Sequence, residues 1–285
     1  MTIWRVVDII KSSADFLAKK GVPDPRLDAE ILLGDILRKQ RLELYLFFDR
    51  PLDPNELSRY REYIRRRGAR EPLQHILGET GFMNLTLKTT PAALIPRPET
   101  EVLVERAISL MQSKACRILD IGTGTGCIAL ALSQALEQAK VLAVDISSEA
   151  IKLAQENAQL NHLQLAFQTI DILTTLPKID SRFDMVVSNP PYIARSEGPQ
   201  LQQEVSEFDP DLALFADDDG LLFYKRFAEI LPELLVPGGS FFFEFGGSHQ
   251  EQQVLNIFSG KGYHDLEIVQ DYNGDPRVLS GRYTP

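Results

Sequence analysis

Asp120-Ile121-Gly122-Thr123-Gly124-Thr125-Gly126 closes the apolar run that begins at Arg117 and leads directly into Ile128, Ala129, Leu130 and Leu132. In order, these pieces read as a buried strand, a tight glycine loop and a helix. The glycines allow a ligand close to the backbone, and the helix N-terminus offers N–H donors aimed at the same crevice. Together they describe a nucleotide-type cradle at the carboxyl end of a parallel strand. The spacing is G-x-G-x-G, which departs from the G-x-G-x-x-G dinucleotide fingerprint. Asp145, 19 residues beyond Gly126, suits a ribose diol in either reading.

The chain on either side supports the same architecture. Strand patterns at residues 117–121, 141–145, 165–170, 183–188 and 240–245 alternate with helical repeats. That alternation predicts a parallel sheet with helices on both faces. Residues 265–269 and 277–279, around Tyr272-Asn273-Gly274-Asp275-Pro276, predict a closing hairpin and an antiparallel edge. Toward the N-terminus the period becomes helical. Ile3, Val6, Val7, Ile10, Ala14 and Leu17 mark a first helix capped at Gly21, and Asp24-Pro25 and Asp53-Pro54-Asn55-Glu56 start two more. The predicted division is a helical domain over residues 1–72, a β-hairpin linker over 73–92 with Gly78 and Gly81 as breakers, and a catalytic domain over 93–285.

Composition bounds the alternatives. The 285 residues are 44% hydrophobic, enough for an ordinary soluble core, and no run reaches the 18 apolar residues of a membrane span. With no signal-peptide layout at the start, a cytoplasmic protein is expected, with no membrane partner. Cys116 and Cys127 lack companions at metal spacing and read as small fillers, so no metal site is expected. Residues 1–70 carry a net charge of +4 and the remainder −14. An acidic catalytic part repels a phosphate backbone, which counts against nucleic acid as the main substrate. Arg65-Arg66-Arg67 reads as a solvated helix face.

A second stretch carries the chemistry. Asn189-Pro190-Pro191-Tyr192 follows Met185-Val186-Val187, where a buried strand gives way to a loop frozen by two prolines. An Asn oxygen and a fixed Pro190 carbonyl suit the two N–H bonds of a planar amide or amine, with the Tyr192 ring near its face. Read alone, the tetrapeptide is as often a plain turn. The carboxylates at neighbouring strand ends weigh against that: Asp120 suits a cationic ligand end, Asp145 a ribose, and Asp171 an adenine amine with Ile172 beside the ring. An acid beside the glycines would repel a pyrophosphate but welcome an ammonium and a sulfonium, which favours S-adenosylmethionine over NAD. The candidate cofactor contacts are Asp120, Gly122, Thr123, Gly124, Thr125, Gly126, Asp145, Ile146, Asp171, Ile172 and Asn189. Arg97, pinned between Pro96 and Pro98, reads equally as a site wall or a salt-bridged turn.

These motifs, with Leu94-Ile95-Pro96-Arg97-Pro98-Glu99-Thr100-Glu101, Asp219-Gly220-Leu221, Pro237-Gly238-Gly239 and Phe243-Glu244-Phe245-Gly246, resemble the release factor glutamine methyltransferase (PrmC/HemK) family over nearly the whole chain. Phe208-Asp209-Pro210 departs from the family's Glu-Pro by one methylene, and Ile172 stands where an aromatic often lies. The resemblance implies a class I S-adenosylmethionine-dependent methyltransferase: a Rossmann-like, seven-stranded, mostly parallel sheet with an antiparallel edge, preceded by a small helical domain that docks the substrate. It implies transfer of a methyl group to the glutamine N5 of the Gly-Gly-Gln loop of bacterial class 1 peptide-chain release factors, leaving S-adenosylhomocysteine and modulating translation termination. Asn189, Pro190 and Tyr192 would be catalytic, and Asn189, Pro190, Pro191, Tyr192 and Arg97 would hold the substrate. A monomer is expected. A ribosomal-protein glutamine methyltransferase, a nucleic-acid exocyclic-amine methyltransferase, a non-catalytic nucleotide-binding module and an NAD oxidoreductase are the rival readings.

Overall fold

The computed structural model describes residues 4–111, 115–260 and 262–285. The chain divides into two compact units: residues up to Gly78 joined by Gln202–Phe208, and Glu79–Leu201 with Asp209–Pro285.

The first unit is helical. Helices α1 (Val6–Lys19), α2 (Pro25–Leu37), α3 (Arg41–Leu44), α4 (Pro54–Gly68) and α5 (Leu73–Leu77) enclose a core of Ile9, Leu17, Leu32, Leu33, Tyr60 and Ile64 with their neighbours. Helix α1 buries Val6, Ile9, Ser13 and Leu17, the one-faced spacing that lets a 3.6-residue repeat bury a single stripe. At the start of α4 the Asp53 carboxylate accepts from the amides of Asn55 and Glu56, while Glu56 takes the Asp53 amide; the capping box read from sequence is present. The Tyr60 hydroxyl donates to the Ala29 carbonyl at 3.0 Å, which satisfies the polar end of a fully buried ring.

Two expectations need correction here. Residues 73–77 form helix α5 and place Ile76 in the helical core, so the first unit runs to Gly78 and not to residue 72. Gly78 stops α5 with a φ of 81°, the left-handed geometry that a Cβ disfavours. Residues 202–208 also belong to this unit. Glu204 receives Arg67 at 3.0 Å and pairs with Arg70, and Arg67 is buried against Asp28 at 2.6 Å. Two members of the basic run are therefore consumed inside the unit, Arg67 by this network and Arg66 by Glu71 at 2.5 Å; Arg65 alone of the three is largely exposed.

The second unit opens with a hairpin, β1 (Glu79–Phe82) and β2 (Leu85–Lys88), then helix α6 (Pro98–Met111). Strands β3 (Arg117–Ile121), β4 (Lys140–Asp145), β5 (Ala166–Thr169), β6 (Phe183–Ser188), β7 (Leu235–Glu244), β8 (Tyr263–Gln270) and β9 (Pro276–Tyr283) form one sheet in the order β5-β4-β3-β6-β7-β9-β8. All neighbours are parallel up to β7; β9 and β8 join antiparallel, as the tail's turn residues predict. Helices α7 (Cys127–Ala135), α8 (Ser148–Leu160), α9 (Gln203–Phe208), α10 (Asp211–Leu214), α11 (Leu222–Leu234) and α12 (Glu251–Phe258) complete the chain, α9 within the first unit.

Successive strand residues serve opposite faces, which is why the strands read as continuous apolar runs. Ile118, Val141, Met185 and Phe242 join the core beneath α6 and α7; Leu119, Leu142, Val186 and Phe243 join the core beneath α11 and α12. The chain moves outward from β3 through β4 to β5, then returns to add β6 on the other side of β3. That reversal opens a crevice at the carboxyl ends of β3 and β6, the place where open α/β sheets take ligands. Among the described residues no helix is long and apolar enough to cross a membrane.

Candidate active site

A cavity of about 270 Å³ occupies that crevice. One wall is the glycine loop between β3 and α7. The amides of Gly122 and Thr123 both donate to the Val144 carbonyl, at 2.8 and 3.0 Å, and Gly126 donates to the Thr123 carbonyl at 2.8 Å. Gly124 donates to Asp145 Oδ2 at 2.9 Å. The loop therefore spends these four amides on its own shape, ahead of the first turn of α7. What it offers is closeness: Gly122, at φ 72°, lines the cavity, and a Cβ built there meets nothing within 4 Å. A side chain would fill the space a ligand needs.

Asp145 at the end of β4 faces the cavity and accepts from the Gly124 amide and, through Oδ1, from the Ser147 amide at 2.9 Å. Burial raises its pKa, and the backbone N–H groups of Ser147, Gly124 and Ile146 oppose that. Each carboxylate oxygen retains a lone pair for a diol. Ser147 caps α8 through the Ala150 amide at 3.1 Å, as its sequence position predicts. Asp171 lines the cavity beyond β5 while accepting the Leu173 amide at 2.9 Å, so it shapes its own turn as well as facing the ligand space. Ile146, Ile172, Leu173 and Phe223 supply an apolar slot beside it.

The opposite wall is Asn189, Pro190 and Pro191 after β6, with Arg97 and Thr100 from the start of α6. Ser188 secures the strand end by donating to the Ile121 carbonyl at 2.7 Å. Asn189 Nδ2 donates to Thr100 Oγ1 at 3.1 Å, and Thr100 Oγ1 donates to Glu244 Oε2 at 2.6 Å. Arg97 does both things its flanking prolines allow: it lines the cavity and reaches Asp209 at 3.1 Å. The Asp209 carboxylate is buried, which raises its pKa, and the Arg97 charge beside it opposes that.

Three expected contacts lie behind the wall. Asp120 is fully buried and does not line the cavity; its Oδ2 accepts the Thr123 hydroxyl at 2.6 Å, so it holds the loop instead of meeting a cation. Burial pushes its pKa up to about 7, the Thr123 bond opposing and the Asp145 charge adding. Gly126 caps α7 with φ 84° and faces Ala154 and Leu130, where a Cβ would stand at 3.1 and 3.2 Å. The Tyr192 ring packs on the aromatic core under α11 and α12, and its carbonyl accepts Gln250 Nε2 at 2.7 Å. Pro190 and Pro191 line the cavity and the Tyr192 ring does not.

Sequence reading missed Thr100, Glu244, Phe223 and Asn157. Asn157, fully buried in α8, donates to the Thr125 carbonyl at 2.9 Å and accepts the Lys88 amide at 2.7 Å, joining the glycine loop to the hairpin. A polar residue on the apolar face of α8 was the available signal.

Known proteins carry the same layout. Residues 8–78 match the PrmC N-terminal domain family and residues 98–207 the methyltransferase small domain. The release factor glutamine methyltransferase of Geobacter sulfurreducens is 43% identical over 280 residues, covering 98% of this chain and 97% of its own. This chain belongs to the release factor glutamine methyltransferase family. The family's enzyme from Escherichia coli is 40% identical over 91% of this chain and 92% of its own. A methyltransferase structure from Pyrococcus furiosus shares the fold at a TM-score of 0.53 and 15% identity, covering 82% of this chain and all of its own. As a member of the release factor glutamine methyltransferase family, the chain is an S-adenosylmethionine-dependent enzyme. Its residues fit that donor: the open face at Gly122, the acceptor at Asp145 and the apolar slot at Ile146, Ile172 and Phe223.

Proposed function

We propose that this chain methylates the N5 side-chain nitrogen of the glutamine in the Gly-Gly-Gln loop of bacterial class 1 peptide-chain release factors, acting in the cytoplasm as a monomer and modulating termination. Bound S-adenosylmethionine supplies the electrophilic methyl group and leaves as S-adenosylhomocysteine. The observation that carries the reading is the Asn189 carboxamide, set at the cavity wall with its nitrogen committed to Thr100 and its neighbours Pro190 and Pro191 lacking N–H groups. That wall is rich in acceptors, which match the two N–H bonds of a primary amide.

An amide nitrogen is a weak nucleophile because its lone pair is delocalised. Asn189 and the Pro190 carbonyl would serve by holding the amide with its lone pair directed at the bound donor. Positive charge then grows on nitrogen, and two fixed oxygens stabilise that charge more than they stabilise the neutral amide. One N–H proton leaves to solvent as the N–CH₃ bond forms.

The helical unit is the part we assign to docking the protein substrate. It carries the basic share of the charge, and Leu42, Leu46 and Phe48 stand exposed on it. The acidic catalytic part supports a protein over a nucleic-acid acceptor. The test is to incubate the chain with S-adenosylmethionine and a release factor, a large-subunit ribosomal protein or bulk nucleic acid, and to locate added methyl mass by fragmentation. A methyl on the Gly-Gly-Gln glutamine is the expected result; a methyl only on another acceptor overturns the partner.

A further inference from the structure

A carboxamide has two ends of nearly equal size, and nothing within Asn189 chooses which one meets the substrate. Only the oxygen end serves an amide donor; turned by half a rotation about its last bond, the same side chain would oppose N–H to N–H. We propose that Thr100 and Glu244 are positioning residues that set the Asn189 carboxamide with its oxygen toward the acceptor glutamine. The proposal rests on the acceptor assigned above.

The argument is one of hydrogen-bond direction. An ionised carboxylate only accepts, so the single hydroxyl proton of Thr100 goes to Glu244 Oε2, 2.6 Å away. The Thr100 oxygen then has only lone pairs for Asn189, and the Asn189 NH₂ turns to it at 3.1 Å. The carbonyl end of the carboxamide is left for the cavity. Direction thus passes from a charge at the end of β7 through the first turn of α6 to the loop after β6. Thr100 is 1% exposed and Glu244 likewise 1%, so water does not compete for either group. The Tyr224 hydroxyl, donating to the Glu244 carbonyl at 2.7 Å, fixes the backbone that carries the carboxylate. A fully buried glutamate with no contact to the cavity has no evident value to the fold by itself, since burying it costs solvation.

The test uses the full chain with S-adenosylmethionine and release factor, comparing Thr100→Val, Thr100→Ser and Glu244→Gln. For each, kcat, KM for release factor, S-adenosylmethionine affinity by calorimetry and the thermal midpoint are measured. Thr100→Val keeps the shape and removes the hydroxyl; kcat should fall roughly 10- to 100-fold while cofactor affinity stays within about twofold. Thr100→Ser should return kcat to within about threefold of the parent, because the hydroxyl that links Asn189 to Glu244 is restored. Glu244→Gln, able to donate as well as accept, should lower kcat without lowering the thermal midpoint. Parental kcat in Thr100→Val, or a serine variant as impaired as the valine one, overturns the relay; parental kcat in Glu244→Gln removes Glu244 from it. Absence of methyl transfer by the parent chain overturns the acceptor assignment and the inference built on it, a result distinct from an active parent with indifferent variants.

Discussion

The Gly124 amide donates to Asp145 Oδ2 at 2.9 Å, so the carboxylate at the end of β4 holds the cofactor loop that leaves β3. One residue thereby shapes the glycine loop and lines the cavity.

Asp145→Ala should weaken S-adenosylmethionine binding about 10- to 100-fold, since hydrogen bonds to a charged acceptor contribute about 1.5–3 kcal/mol. Calorimetric titration measures it. Turnover at saturating cofactor should change much less.

Asn189→Ala should show the reverse pattern. Cofactor affinity should hold within a few-fold while methylation of the release factor falls roughly 100- to 1,000-fold, the range for losing one oriented polar group from a reacting centre. Single-turnover mass spectrometry with excess enzyme separates the two quantities.

Gly220→Ala should damage the Asn189 loop from a distance. Gly220 stands at φ 82°, and a Cβ there would lie 2.1 Å from the Tyr192 carbonyl oxygen and 2.6 Å from Gln250 Nε2. A backbone atom cannot move aside as a side-chain tip can, so we expect a loss of a few kcal/mol in stability and of most activity. Thermal unfolding and turnover should fall together, unlike the Asn189 case.

Two buried carboxylates should tie the stability of the unliganded protein to pH. Burial pushes Glu244 up to about 7, against the Thr100 bond and the Arg277 and Arg97 charges and with Glu99 adding to it; Asp120 is also pushed up to about 7. Both folded values exceed the ordinary carboxylate range of about 4. The stability they contribute is fully present below that range and lost as pH rises through about 7. Thermal midpoints of the cofactor-free protein should therefore drop between about pH 4 and 7, and drop less in Glu244→Gln. Turnover should move oppositely in the parent, falling below about pH 7 as Glu244 gains a proton and ceases to be a pure acceptor; the glutamine variant should lack that limb.

Much of this was legible in the chain because it is local. The glycine loop, the apolar runs of β3, β4 and β6, the capping box at Asp53 and the cap at Ser147 depend on residues within a few positions of one another. Backbone sterics and hydrogen bonding over one turn decide them. The mostly parallel sheet with its antiparallel edge was legible too, from the alternation of strands and helices and the turn residues of the tail.

Contacts between distant segments lay outside any local pattern. Asp120, Tyr192 and Asp145 carry equally plausible side chains at strand ends, yet Asp145 faces the cavity while Asp120 is turned beneath the loop and Tyr192 into the aromatic core. The Asn189–Thr100–Glu244 chain joins positions 89 and 144 residues apart. No local pattern encodes it, because the direction of a buried hydrogen bond is settled by which partners the fold brings within 3 Å and by the low dielectric that forbids leaving any of them unpaired. Local sequence set which elements form and which chemistry they carry; close packing settled which of those polar groups line the cavity and which hold the others in place.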